Sequence, residues 1–425
     1  MVTAAQPLSP APTPRVEHAP ASPVTRGNSP ASSVGRHTQA PATRHRASPT
    51  PYPATPRRPR AAAVRHLGPN WYATVMGTAM VATALPGQLP ALRPLRAAVW
   101  ALALALLVVL LAARALHWRH HRDQARAHLL DPAVVPFYGC LSMGLLAVGG
   151  GAMTAGRDWI GPEAALALDA VLFSAGTAVG LAAAVAVPFL MAVRHRVTVE
   201  QATPVWLLPL VAPMVSAALG PLLVPHLPPG QARETLLLGC FALFGLSLLA
   251  TLVMLPLVFA RLLTGGPLPL ALTPTLFLVL GPLGQSTTAV GHFADAAPGV
   301  VPAPYADGFA LLAVLYGVPV MGFALLWLGL AIVHVMRARR HGMGFAMTWW
   351  AFTFPVGTCV TGAESLARHT GLLAYDALAA VLYAVVLAAW AAAAAGTVRG
   401  LLSGELLAGP RPASGAPSPA TARTR

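Results

Sequence analysis

The residues most able to do chemistry lie in one apolar stretch, Thr348–Gly362, read Thr-Trp-Trp-Ala-Phe-Thr-Phe-Pro-Val-Gly-Thr-Cys-Val-Thr-Gly. Thr348, Thr353, Thr358 and Thr361 scatter hydroxyls through it, and Pro355 and Gly357 interrupt it. A helix that only touched lipid would gain nothing from these residues. Proline removes a backbone donor and clashes with the preceding turn, and at membrane depth a freed carbonyl needs a protein or water partner. A second cluster, Gln285, Ser286, Thr287 and Thr288, adds an amide and three hydroxyls. Neutral donors of this kind suit weak ligation of a small anion, since permeation needs binding favourable enough to enter and weak enough to leave. They do not suit covalent catalysis, because no His or Lys stands beside the cluster as a base. HExxH, GxSxG and Walker A patterns are missing too, and an enzyme is not expected.

The elements that must carry these residues are membrane spans. Of the 425 residues, 56% are hydrophobic and 10% charged, and the mean hydropathy is +0.64. A soluble domain would hold about 25% charged residues. All 28 basic residues are Arg, and the net charge of +15 is spread through a basic leading segment and short loops rather than gathered in a nucleic-acid patch. Cys140, Cys240 and Cys359 fall singly in apolar segments, without metal-ligand spacing, so packing is the expected role and no cofactor is expected.

Residues 1–67 are rich in Pro, Ala, Ser, Thr and Arg and cannot bury enough surface to order themselves; residues 401–425 form a similar tail. Between them, the domain 68–400 holds ten apolar segments of spanning length, at about 70–88, 94–116, 133–155, 164–193, 204–226, 234–262, 275–293, 307–336, 345–365 and 373–397. With the N-terminus inside, the inner loops carry ten Arg (Arg114, Arg119, Arg122, Arg126, Arg194, Arg196, Arg261, Arg337, Arg339, Arg340). The outer loops carry five (Arg93, Arg96, Arg157, Arg233, Arg368). That asymmetry predicts both termini cytosolic in a multi-pass plasma-membrane protein.

Polar side chains follow the parity of the segments. Odd ones hold Thr74 and Thr78, Ser142, Ser216, Gln285, Ser286 and Thr287, Thr353 and Thr358, whereas segments two and eight have no Ser, Thr, Asn or Gln. Prolines expected to kink helices follow a weaker version of the rule: Pro136, Pro209, Pro213, Pro282 and Pro355 are odd, Pro188, Pro256 and Pro319 even. The predicted fold is all-α: five helical hairpins, odd helices in an inner ring lining a pore and even helices outside against lipid. The competing reading is that small polar residues mediate packing in any bundle.

Two motifs bring a family into view. Gly68-Pro-Asn-Trp-Tyr-Ala-Thr-Val-Met-Gly-Thr78 resembles the opening signature of the tellurite-resistance/dicarboxylate transporter family, and Trp349-Trp-Ala-Phe-Thr-Phe-Pro355 its ninth-helix signature. Thr203-Pro-Val-Trp-Leu-Leu-Pro209 and Gly281-Pro-Leu-Gly-Gln-Ser286 fall where the family keeps its fifth- and seventh-helix motifs. The family includes bacterial tellurite-resistance proteins, plant slow anion channels, and fungal malate and sulfite carriers. The resemblance implies a central anion pore, frequent assembly as a homotrimer, and a ninth-helix phenylalanine plugging the pore. That role transfers to Phe354, before Pro355, with Phe352 as second choice. Ala79 departs from the glycine many members carry. The implied function is passive movement of a small anion, a C4-dicarboxylate such as malate or an oxyanion such as sulfite or tellurite. The alternatives are a proton-coupled malate carrier and a non-transporting membrane protein. A coupled carrier calls for a midplane ionisable group, whereas Asp169, Glu364 and Asp376 all lie toward the outer face on this topology.

Overall fold

A computed structural model describes residues 65–85 and 90–407. The predicted tails lie outside them, apart from Arg65–Leu67 and the turn up to residue 407. Every regular element is helical among the described residues.

The ten apolar segments fold in two styles. Even segments are long unbroken α-helices: α2 (Arg93–His120), α4 (Pro162–Leu190), α6 (Gln231–Gly265), α8 (Ala303–Arg340) and α10 (Leu373–Leu402). Odd segments change helix type partway. Short 3-10 stretches, Pro69–Trp71, Val135–Tyr138, Pro204–Leu207, Leu270–Val279 and Met347–Phe352, lead into α1 (Tyr72–Thr83), α3 (Gly139–Gly151), α5 (Leu208–Leu219), α7 (Leu280–Ala296) and α9 (Phe354–Thr370). The prolines expected as kinks explain the pattern. Pro136 sits in a 3-10 lead, Pro209, Pro282 and Pro355 in the first turn of their α-helices, and Pro213 inside α5. In a first turn the missing N–H has no intrahelical acceptor, so proline costs little there. These prolines therefore mark a change of helix type more than a bend in a continuous helix. By contrast, Pro188, Pro256 and Pro319 lie in the interiors of α4, α6 and α8.

Burial separates the same two sets. α8 buries Phe309, Ala313, Gly317, Met321, Ala324, Trp327, Ala331 and Ala338, a stripe recurring every three or four residues, and leaves Leu315 and Leu326 more than two-thirds exposed. One packed face opposite one exposed apolar face is what a helix between protein and lipid needs. The odd helices bury nearly every side chain. In contact terms α1, α3, α5, α7 and α9 form a closed ring, each packing on the next and α9 returning to α1. Each even helix packs on its own hairpin partner and on the following odd helix. Among the described residues, seven helical segments are long and apolar enough to cross a membrane: the five even ones, Val135–Ile160 and Pro204–His226.

Glycines set how closely the ring closes. A Cβ at Gly284 in α7 would fall 2.5 Å from the Cys359 backbone nitrogen in α9, and one at Gly139 would fall 2.5 Å from the Leu208 carbonyl oxygen. The loop between α2 and α3 contains a short surface helix, Arg122–Leu130.

Candidate conduction pathway

The local geometry of the ninth segment sets one aromatic residue, Phe354, at a helix start between two cavities. Ala346 is extended, the 3-10 turns run to Phe352, and Thr353 forms the junction at φ −95°, ψ −78°. Thr353 Oγ1 donates to the Trp350 carbonyl at 2.7 Å and the Gly357 N–H donates to the Thr353 carbonyl at 2.9 Å, so the junction is tied on both sides. Phe354 is the first residue of α9 and Pro355, with no N–H to satisfy, the second.

Phe354 is 4% exposed and borders two cavities. The first, about 50 Å³, lies toward the starting ends of the odd helices and touches Met76, Met143, Val211 and Gly281. The second, about 160 Å³, touches Met80, Ala147, Val215 and Gln285. Each pair, Met76 and Met80, Met143 and Ala147, Val211 and Val215, Gly281 and Gln285, is one residue and its neighbour a turn later on the same helix. The ring of Phe354 thus occupies a plane between successive turns of the other four inner helices. Phe352 borders neither cavity. It packs edge-on against Phe277, ring centroids 4.8 Å apart, and against Trp349 at 5.9 Å.

Of the nine polar residues expected to line the pore, Gln285 borders one of these cavities. The other eight lie in the ring wall, in hydrogen bonds within or between helical segments. Thr78 accepts from Trp390 Nε1 at 3.1 Å, Ser142 donates to the Gly176 carbonyl at 2.6 Å, and Ser216 accepts from Thr177 at 2.9 Å. Thr74 donates to Trp71, and Ser286 and Thr287 donate to Leu283, each back into its own helical segment. Thr353 bonds Trp350 as above, and Thr358 reaches the carbonyls of Pro355 at 2.7 Å and Leu280 at 3.2 Å. The cost of an unpartnered polar group away from water accounts for this arrangement.

The remaining polar and ionisable residues of the second cavity are Thr83, Thr154, Thr288, Thr361, His292, Glu364 and Arg368, none of them among those nine; His292 stands one turn beyond Thr288, so the 285–288 cluster does have a histidine beside it. The cavity shares Thr83, Thr154, Glu364 and Arg368 with a wider vestibule of about 770 Å³ that also holds Arg93, Arg96, Arg157, Asp158 and Asp376. Arg368 faces Asp295 at 3.5 Å, and His369 faces the same carboxylate at 3.3 Å. Arg96 is spent on backbone, donating to the Ala82 carbonyl at 3.1 Å. Four guanidiniums around one vestibule raise local anion concentration, while the acidic residues among them keep any single site from becoming a trap. The first cavity is apolar, with Asn70, Thr275 and Thr348 its only residues with a polar side-chain group apart from Cys140 and Trp350.

At the other end of α2, Arg114 is buried, donating to the Leu67 carbonyl at 2.7 Å and the Tyr138 hydroxyl at 3.0 Å. It therefore joins the approaches to α1 and α3. Below it the rings of His117 and His128 stack 5.4 Å apart, 6° from parallel.

Comparison with known proteins agrees with this geometry. Residues 66–398 match the family model described as SLAC1, voltage-dependent anion channel. A curated transporter of Methanocaldococcus jannaschii, itself uncharacterized, is 26% identical over 353 residues, covering 81% of this chain and 96% of its own. The sulfite efflux pump SSU1 of Trichophyton rubrum is 28% identical over 337 residues, covering 77% and 89%. The pump of the same name from Arthroderma otae is 27% identical over 341 residues, with the same coverage.

Proposed function

The chain belongs to the voltage-dependent anion channel (SLAC1) family and is a multi-pass membrane anion transporter; from that premise we propose that it releases small oxyanions of the sulfite class through the lumen of its five inner helices, with Phe354 as the gate. The observation that carries the gate is that one ring borders both cavities, at a level where each of the other four inner helices contributes a residue below and another one turn above. A bulky apolar ring at a constriction blocks ions by occupying space and by dewetting it. Phe352, the second choice, is held in an aromatic cluster away from the lumen.

Transport is passive in this reading. The ionisable residues along the two cavities are Cys140, His292, Glu364 and Arg368, and the last two stand at the vestibule end. With all ten segments crossing the plasma membrane, both termini are cytosolic, the vestibule opens outward and the first cavity inward. Sulfite ranks above malate because the efflux pumps among the relatives carry sulfite in their names. The same reading expects a homotrimer, with each subunit holding its own pathway.

Purified protein in liposomes, loaded with radiolabelled sulfite or malate, tests this directly. Sulfite efflux above that of protein-free vesicles, at equal pH on both faces, is the expected result. Efflux that appears only with an imposed proton gradient would establish the coupled carrier instead, and malate efflux alone would reassign the substrate.

A further inference from the structure

The second cavity contains one polar side chain whose hydrogen-bonding groups are uncommitted. The hydroxyl protons around it are already used: Thr83 donates to Ala79, Thr154 to Gly150 and Thr361 to Thr358, each at 3.1 Å. Thr288 lies 3.1 Å from the Gly284 carbonyl and 2.8 Å from the Thr361 hydroxyl. His292 places Nδ1 2.6 Å from the Ala218 carbonyl. Gln285 is different. It is 4% exposed, it borders the cavity, and its Oε1 has no hydrogen-bond partner. Buried polar atoms are nearly always bonded, and an exception calls for an explanation. The oxygen is itself turned away from the open space, and with no donor to hold it there the amide is free to turn toward a solute that brings one.

The charges around the cavity narrow the solute further. The cation that borders it is Arg368, which already faces Asp295, and Glu364 precedes it by one turn on the same helix. No surplus of positive charge is left to offset two buried negative charges, which is the costliest burial of all.

Building on the transport reading above, we propose that Gln285 selects oxoacid anions that carry one negative charge and retain one acidic proton, hydrogen sulfite in preference to the sulfite dianion. A primary amide is the complement of such an anion. Its carbonyl accepts the acid O–H while its NH2 donates to a neighbouring oxygen, giving two parallel bonds. A fully deprotonated or protonless anion offers acceptors alone and uses the NH2 only.

The test separates titration of the solute from titration of the protein. The ionisable residues facing the cavity are His292 on α7 and Glu364 and Arg368 on α9, and the lining residues from α1, α3 and α5 do not ionise. Sulfite and nitrate fluxes are measured side by side in proteoliposomes across the neutral range, with equal pH on both faces. Potassium and valinomycin carry the balancing charge, and protein-free flux is subtracted. Nitrate keeps one protonation state, so the ratio cancels effects of protein titration. We expect the sulfite-to-nitrate ratio to fall as pH rises, with one elementary charge moved per sulfur. Gln285→Leu should lower the ratio about tenfold, the scale of losing hydrogen bonds to a charged solute, because nitrate loses only its bond to the NH2 while hydrogen sulfite loses both. Two charges per sulfur, or a ratio that rises with pH, would overturn the proposal, as would a wild-type ratio in a Gln285→Leu protein that still passes nitrate. Sulfite flux absent at every pH, with nitrate passing, would remove the sulfite assignment as well.

Discussion

At the scale of single residues, the two phenylalanines of the ninth segment should behave oppositely. Phe354→Ala opens the space between two existing cavities, so anion conductance should rise several-fold while thermal stability changes little. Phe352→Ala empties an aromatic cluster that includes Phe277 and Trp349. It should leave conductance near wild type and lower stability, toward the low end of the ~3–5 kcal/mol seen for buried Phe truncations. Conductance and melting temperature measured on both variants check the pair. His128 carries a third expectation, away from the membrane-spanning segments. Burial, ahead of the Arg114 and His117 charges, holds it down from 6.5 to about 4. Its folded form therefore resists protonation more than its unfolded form. The stability it permits is complete above about 6.5 and is lost as pH falls from there through about 4. Melting temperatures in detergent should drop across that window, and His128→Gln should flatten the drop. Two residues singled out by the sequence border the cavities: Phe354, beside its proline, and Gln285, an amide in an apolar run. The eight other polar positions border neither cavity, because their environment depends on the three-dimensional packing of the bundle. Thr78, for one, takes its hydrogen from Trp390, more than three hundred positions away.

At the scale of helices, the parity rule was visible in the sequence because two environments demand two compositions. Even helices face lipid on one side and keep an apolar exterior. Odd helices are enclosed and can hold hydroxyls wherever a carbonyl lies near. Less legible was how much of the polar bonding runs from outer to inner helices: Trp100 donates to the Val148 carbonyl, Ser247 to Leu210, Trp327 to Leu276 and Tyr383 to Val81. An indole within an apolar run reads as packing until its partner is known. The changes from 3-10 to α helix were equally hidden, since a proline in a spanning segment is compatible with a bend or with a helix start. The close crossing of α7 and α9 yields a prediction at this scale. Gly284→Ala puts a methyl group against backbone, which cannot rotate away, so overpacking of about 1–3 kcal/mol is expected. Thermal unfolding should show it, and Gly239→Ala, on α6 where a Cβ meets nothing within 4 Å, is the control.

At the scale of the whole molecule, charge rather than packing sets orientation. The ten-to-five Arg asymmetry predicts Arg337, Arg339 and Arg340 inside and the loop near residues 297–302 outside. A cysteine introduced at Gly299 should react with an impermeant reagent added to intact cells, and one at Gly342 should react only after permeabilisation. The reverse result would invert the assignment of the two cavities. The closed ring of hairpins was foreseeable from parity, but the particular contacts that close it were not, because nothing local marks α9 and α10 as neighbours of α1.

That closure has a consequence for how the protein is made. Contacts of α9 and α10 with α1 join the beginning of the bundle to its end, through Tyr383 to Val81 and Trp390 to Thr78. During synthesis the early hairpins can pair as they emerge, yet the first helix must wait, one flank unsatisfied, for the last to leave the ribosome. Ribosome-bound intermediates that lack α10 would then expose an open seam to lipid and to the quality-control machinery. The final helix acts as a clasp, so a truncation that removes α10 should be as damaging to biogenesis as one that removes far more of the bundle.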